Sequence, residues 1–337
     1  MNDNGIARFV EEVKARLGAV ECMTFSGRTE SLDALFEAFE LGARDCVYVS
    51  ALTPGYIVKA ILARGATPMF CDVTPDSLTI DHRALDAAVR QTMAAEQLYP
   101  RAVIADHFCG MPFSVKPVKA VCDRMGLVFI ENCGASFGGR ADGARCGSAG
   151  DYALFSLGSS SLLGTGGSGA LVTAYGDSPL EQGISFCDGD AYQGIDPLYG
   201  ESLLNALKRT EEVLSQSRAA ADAINDALSG SDFWTQRPAN SRQKSSCGAL
   251  AVVGQSEEHC LRAVEFMGHD GLAPFVSQLH VHRRACFEKG CRGFRDVENA
   301  MAIAPRAFRV DLFGALHAGR LEALVDRAAR MGREIHE

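Results

Sequence analysis

Gly65-Ala66-Thr67-Pro68-Met69-Phe70-Cys71-Asp72-Val73 holds a short apolar run, residues 67–71, directly after a helical stretch at 56–64. Before it lies another apolar run at 46–49. After it come runs at 102–105, 127–130, 153–156 and 170–173. Helical stretches at 30–41, 56–64, 82–95 and 115–125 separate several of them. Strand and helix alternating in this rhythm predict an α/β fold with a mostly parallel sheet covered on both faces.

The flanks follow the same logic. Residues 6–18 place Ile6, Phe9, Val10 and Val13 on one side of a short amphipathic helix. Residues 176–200 are polar and glycine-rich and predict a loop. Residues 201–228 carry Leu203, Leu204, Leu207, Val213, Leu214, Ile224 and Leu228, which suits one long linking helix. A polar break at 229–246 precedes a strand at 249–253, a helix at 257–267, a further strand and loop, and a closing helix at 316–331. The expected division is a large domain over residues 1–228 and a small α+β domain over 229–337.

Bulk properties exclude several classes. The 337 residues are 47% hydrophobic and 22% charged, as in ordinary globular proteins. A net charge of −9 argues against a nucleic-acid surface, which needs clustered Lys and Arg. No apolar run reaches the roughly eighteen residues of a membrane span. Met1-Asn2-Asp3-Asn4 lacks the order of a secretory signal. Twelve scattered cysteines in a chain of this size are expected to be reduced thiols of a cytoplasmic protein.

Six segments carry a resemblance. Ser26-Gly27-Arg28-Thr29, the 65–73 stretch, Pro75-Asp76-Ser77-Leu78-Thr79-Ile80-Asp81, Asp106-His107-Phe108-Cys109-Gly110, Ile130-Glu131-Asn132-Cys133-Gly134-Ala135-Ser136 and Gly147-Ser148-Ala149-Gly150-Asp151 occur in one order. Leu154-Phe155-Ser156-Leu157-Gly158-Ser159-Ser160-Ser161 follows them, with the glycine-rich stretch 164–169 after it. Together they resemble the DegT/DnrJ/StrS sugar aminotransferases, which use pyridoxal phosphate. The likeness spans about residues 20–175 and fades beyond. It implies a fold-type-I aminotransferase architecture, with a large domain, a smaller C-terminal domain and usually a homodimer. Function must still be argued from the site.

The resemblance assigns roles position by position. Gly27, Arg28 and Thr29, ahead of a helix, fall on the family's phosphate turn, and Ser156 on its phosphate-touching serine. Asn132 takes the place of the aspartate that keeps the pyridine nitrogen protonated, and an amide supports that charge far less well. The stacking aromatic is replaced by Pro54, with Tyr56 two residues on, and the family glutamine by Ala135. Ser161 falls on the lysine. A hydroxyl cannot form the imine that tethers the cofactor. Of the seven lysines, Lys59 is placed nearest the site by sequence, with a solvated helix position as the alternative.

Other residues offer chemistry of their own. His107 beside Asp106 ends a predicted strand and can serve as an acid–base pair or fill a structural role. Cys133 and Cys109 become nucleophiles only if a base lowers their pKa; otherwise they are buried inert thiols. Ser159–Ser161 lacks the Gly-x-Ser-x-Gly elbow of hydrolases, and 164–169 lacks the Gly-Lys-Ser/Thr of a phosphate loop. His280, His282, Cys286 and Cys291 have ligand types but no familiar zinc spacing, so no metal is expected.

Three functions follow. The first is a degenerate family member in amino-sugar, surface-polysaccharide or natural-product biosynthesis, paired with itself or with an active aminotransferase paralogue. The second is an enzyme acting on a sugar nucleotide or small amino compound without a covalent aldimine, using His107, Asn132, Cys133 or Ser161. The third is an ordinary pyridoxal-phosphate transaminase. The cofactor expectation is nothing covalently bound, with pyridoxal phosphate, pyridoxamine phosphate or another anion held non-covalently. No nucleic acid or membrane is expected as partner.

Overall fold

The computed structural model describes residues 5–164, 169–176, 194–279 and 297–335. Its larger sheet has seven strands: β1 (Glu21–Phe25), β2 (Asp45–Ser50), β3 (Thr67–Cys71), β4 (Tyr99–Asp106), β5 (Val128–Asn132), β8 (Tyr152–Ser156) and β9 (Ala170–Ala174). Their order is β1-β9-β8-β5-β4-β2-β3. The strands from β8 to β3 run parallel, and β9 pairs antiparallel with both β8 and β1. The short strands β6 (Arg140–Ala141) and β7 (Ala144–Arg145) form a hairpin of their own. This is the mostly parallel α/β sheet expected from the apolar runs.

Side chains alternate across the sheet, and both faces are buried. Val47, Val49, Ala102 and Ile104 join one apolar layer with helices α2 (Arg28–Ala38) and α3 (Gly55–Ala63). Cys46, Tyr48, Val103 and Ala105 join the other, with α1 (Gly5–Leu17), α4 (His82–Ala95), α5 (Val115–Met125) and α6 (Gly200–Lys208). Strands buried on both sides carry continuous apolar runs, which is why these were legible. β1 was not among the runs. It is an edge strand, Glu-Cys-Met-Thr-Phe, with only Cys22 and Phe25 buried.

Helix α1 packs on α6 through glycine. A Cβ on Gly200 would lie 2.7 Å from the Gly5 carbonyl carbon, so the two backbones touch. The linking helix predicted over 201–228 is two helices, α6 and α7 (Thr210–Leu228), meeting at Arg209. The closing helix is also two, α10 (Leu312–His317) and α11 (Leu321–Glu334), separated at Gly319, whose φ is +67°. A left-handed glycine ends a helix at little cost.

A second sheet has the order β10-β11-β13-β12, with β10 (Trp234–Thr235), β11 (Ala249–Val253), β12 (Val276–Gln278) and β13 (Ala307–Asp311). β10, only two residues long, lies inside the predicted polar break. Residues from α7, α8 (Glu257–Met267), α10 and α11 cover this sheet. The nine cysteines among the described residues are free thiols. No helix among the described residues is long and apolar enough to cross a membrane.

Asp72, just past β3, links the distant ends of the chain. Its carboxylate accepts from Val73 N at 2.8 Å, Asn299 N at 2.9 Å and Ala300 N at 2.9 Å, the last two at the start of α9 (Glu298–Ile303). Asp72→Ala leaves these amides without their acceptor. It is expected to lower unfolding stability by about 1–3 kcal/mol, read as a reduced urea midpoint at unchanged m-value.

Candidate functional site

The parallel strands β2, β4, β5 and β8 end on the same side of the sheet, where open α/β sheets bind ligands. Asp106 and Asn132, the last residues of β4 and β5, are register partners. Beyond β2, the chain turns through Thr53 and Pro54 into α3. A cavity of about 290 Å³ lies above these ends. Arg28, Pro54, Tyr56, His107, Asn132 and Ser156 are on its wall, with Asp106, Cys109, Ser160 and Arg309. Residues from four sequence motifs thus converge on one space.

Polar contacts run across the cavity floor. The Arg28 guanidinium lies 4.7 Å from the Tyr56 ring centroid, a cation–π contact. The Tyr56 hydroxyl donates to Asn132 Oδ1 at 3.5 Å, and Asn132 Nδ2 donates to Asp106 Oδ1. Burial pushes the Asp106 carboxyl up to about 6, against the pull of Thr53, Asn132 and His107. Burial likewise lifts the Tyr56 phenol to about 12, so it stays a neutral donor.

Beneath the floor sits a second, fully buried group. His107 Nε2 donates to Glu131 Oε2 at 2.8 Å, and both side chains are shut off from solvent. The same carboxylate accepts from Gly147 N at 3.0 Å, Ala149 N at 2.7 Å and Gly150 N at 2.9 Å. The His107 ring stacks on Phe113 with centroids 4.4 Å apart. Burial alone would depress the imidazole, but the Cys146 and Cys133 sulfurs and the Glu131 carboxylate hold it well above the ordinary histidine value. Burial opposes ionisation of Glu131 too, yet His107 and the backbone amides keep it below the usual carboxylate range.

Several site expectations need correction. Ser161 is not on the cavity wall. Its hydroxyl donates to Gly158 O at 2.8 Å within a tight turn, and its carbonyl accepts from His317 Nε2 at 2.9 Å. Ser160 occupies the wall instead. Cys133 lies beneath the floor, and burial raises its thiol to about 12, so it is no nucleophile. Cys109 does reach the wall, but burial pushes it up to about 11. Gly27 is the residue before α2, and Thr29 lies in its first turn; of that turn only Arg28 lines the cavity. Lys59 is exposed on α3 and is absent from the wall.

His280, His282, Cys286 and Cys291 lie outside the described residues. His107, Glu131 and Cys133 bring ligand-type atoms within 4.8 Å of one another, but both Glu131 oxygens are already engaged by hydrogen bonds. Sequence reasoning missed Ser160 and Arg309. Arg309 was detectable as a charge between Phe308 and Val310 in the strand Ala-Phe-Arg-Val-Asp.

Residues 2–184 match the family model of the DegT/DnrJ/EryC1/StrS aminotransferase family. Over 215 residues the chain is 27% identical to L-glutamine:2-deoxy-scyllo-inosose aminotransferase of Streptoalloteichus tenebrarius, covering 64% of this chain and 48% of that protein. The chain spans about half the length of the curated relatives it matches. A DegT DnrJ EryC1 StrS aminotransferase from Brucella abortus shares the fold at a TM-score of 0.86 and 18% identity, covering 98% of this chain and 91% of that one. The 3-amino-5-hydroxybenzoic acid synthase structure does so at 0.84 and 19%, covering 97% and 90%. At these identities the likeness to solved structures is one of fold.

The buried His107–Glu131 pair predicts a pH signature. The Glu131 contribution is fully present above the ordinary value of 4.5 and is lost as the pH falls toward its lowered value. The His107 contribution is fully present below 6.5 and is lost as the pH rises through its raised value. Urea midpoints of the wild type and Glu131→Gln should therefore differ most between pH 4.5 and 6.5, with the gap narrowing on either side.

Proposed function

The chain belongs to the DegT/DnrJ/EryC1/StrS aminotransferase family, and on that premise we propose that it serves amino-sugar, surface-polysaccharide or natural-product biosynthesis without forming the lysine imine of conventional transamination. One observation carries this reading: among the described residues, no lysine lines the cavity. Six of the seven lysines lie in described segments, and Lys289 lies outside them. The turn resembling the family's lysine segment offers only the Ser160 hydroxyl to the cavity, and hydroxyls do not form imines.

The wall suits an anion held without a covalent bond. Arg28 and Arg309 supply two permanent positive charges, and Ser156 and Ser160 supply hydroxyl donors. These residues fit the phosphate end of pyridoxal or pyridoxamine phosphate, or the phosphate of a sugar derivative. They offer no amine to capture an aldehyde. A second copy of the chain or an active aminotransferase paralogue is the partner that this reading proposes.

Purified protein incubated with pyridoxal phosphate and treated with borohydride, then digested and examined by mass spectrometry, tests the proposal. The expected result is cofactor that washes out and no phosphopyridoxyl adduct on any peptide. An adduct on a lysine, together with turnover of an amino donor, would sink it.

A further inference from the structure

The acid that the sequence lacks at Asn132 is present one strand away. Asp106 faces Asn132 across the β4–β5 pairing, accepts the hydrogen bond from its amide nitrogen, and is the one carboxylate on the cavity wall among the described residues. Asn132 is held at both ends of its amide, by Tyr56 and by Asp106. Its Nδ2 therefore points a donor at the aspartate rather than into the cavity.

The hydrogen-bond donors at Asp106 are neutral side chains. Asp106 is almost fully buried, with the Asn132 amide donating to Oδ1 and the Thr53 hydroxyl beside the carboxylate. An ionised carboxylate taken out of water without full compensation is costly. A cationic group on a ligand would add the charge that these neutral donors do not supply.

We propose that Asp106, positioned by Asn132, recognises a protonated nitrogen of the ligand whose anionic group is held by the arginines and serines of the same cavity. The carboxylate has in effect been moved from β5 to β4, one register position across the sheet. The ligand class is then a phosphate-bearing molecule with either a pyridine-type ring nitrogen or an amino group. This inference rests on the non-covalent anion site proposed above.

The charges around Asp106 are consistent with such a role. From β4 and the segment after it comes His107, paired beneath with Glu131 of β5. From α3 comes the neutral Tyr56, and from the turn before it Thr53. Arg28 from α2 and Arg309 from β13 line the same space. A ligand nitrogen bound here meets one carboxylate near enough to pair with it. Since burial pushes the Asp106 carboxyl up to about 6, recognition of a cation should strengthen as the pH rises through that value.

The test uses the full chain and three probes: inorganic phosphate, pyridoxamine phosphate and glucosamine 6-phosphate, titrated calorimetrically at pH 5 and 7.5. In the wild type at pH 7.5, at least one nitrogen-bearing probe should bind more tightly than phosphate, and which one does identifies the source of the nitrogen. Asp106→Asn should weaken that probe by about ten-fold or more while phosphate, whose binding also reports an intact fold, binds at least as tightly as to the wild type. The weakening should shrink at pH 5, where Asp106 is protonated. The exchange variant Asp106→Asn/Asn132→Asp returns the carboxylate to β5 and should recover the lost affinity, which a merely structural role for Asp106 would not produce. Equal binding of both nitrogen probes by the wild type and Asp106→Asn overturns the inference and leaves the anion site standing. Failure of the wild type to bind any of the three overturns both.

Discussion

Glu131 accepts hydrogen bonds from four groups on two separate segments: the His107 ring, and the backbone amides of Gly147, Ala149 and Gly150. Each member of this group stands next to something the cavity needs. His107 directly follows Asp106, Glu131 directly precedes Asn132, and the 147–150 turn leads into the strand that ends at Ser156. A carboxylate in the interior is stable only when its lone pairs are filled, so these segments can occupy only the arrangement that fills them. The buried pair acts as the alignment pin for the ends of three adjacent strands. The cavity above it inherits its geometry.

Much of this was legible in the sequence because the signals were local or periodic. Apolar runs marked the strands buried on two faces, and the motifs around Ser26, Asp106, Ile130 and Phe155 named the segments that meet. What could not be read was side-chain direction at the final step. Counting along the motif points to Ser161, yet the turn closed by Ser161 N to Gly158 O at 3.0 Å carries that residue inward and leaves Ser160 at the wall. Arg309 comes from a sheet remote in sequence, and nothing local to it indicates which cavity it reaches. Helix breaks at Arg209 and near Gly319 were missed because apolar periodicity runs on across them.

The same limits apply to electrostatics. Asn132 looked like a lost function when considered alone. Its meaning changes once β4 is laid beside β5 and Asp106 falls into register with it. Cys133 looked like a candidate nucleophile because it follows a strand end, but burial keeps its proton on. Which ionisable group is chemically available depends on what is packed around it, and only the assembled sheet supplies that knowledge.

The glycine seat between α1 and α6 bears on the order in which the chain can assemble. The first helix rests on a backbone surface that includes Gly200, so a nascent chain must be extended past that residue before α1 has its final partner. Until then the apolar side of α1, with Phe9 and Val13, lacks the covering that Leu203, Leu204 and Leu207 of α6 give it. Closing so long a loop is slow relative to the local strand–helix units. Helix α1 is thus made before α6 and docks only once α6 exists, and a bulky side chain at either glycine would hinder that closure rather than disturb the cavity.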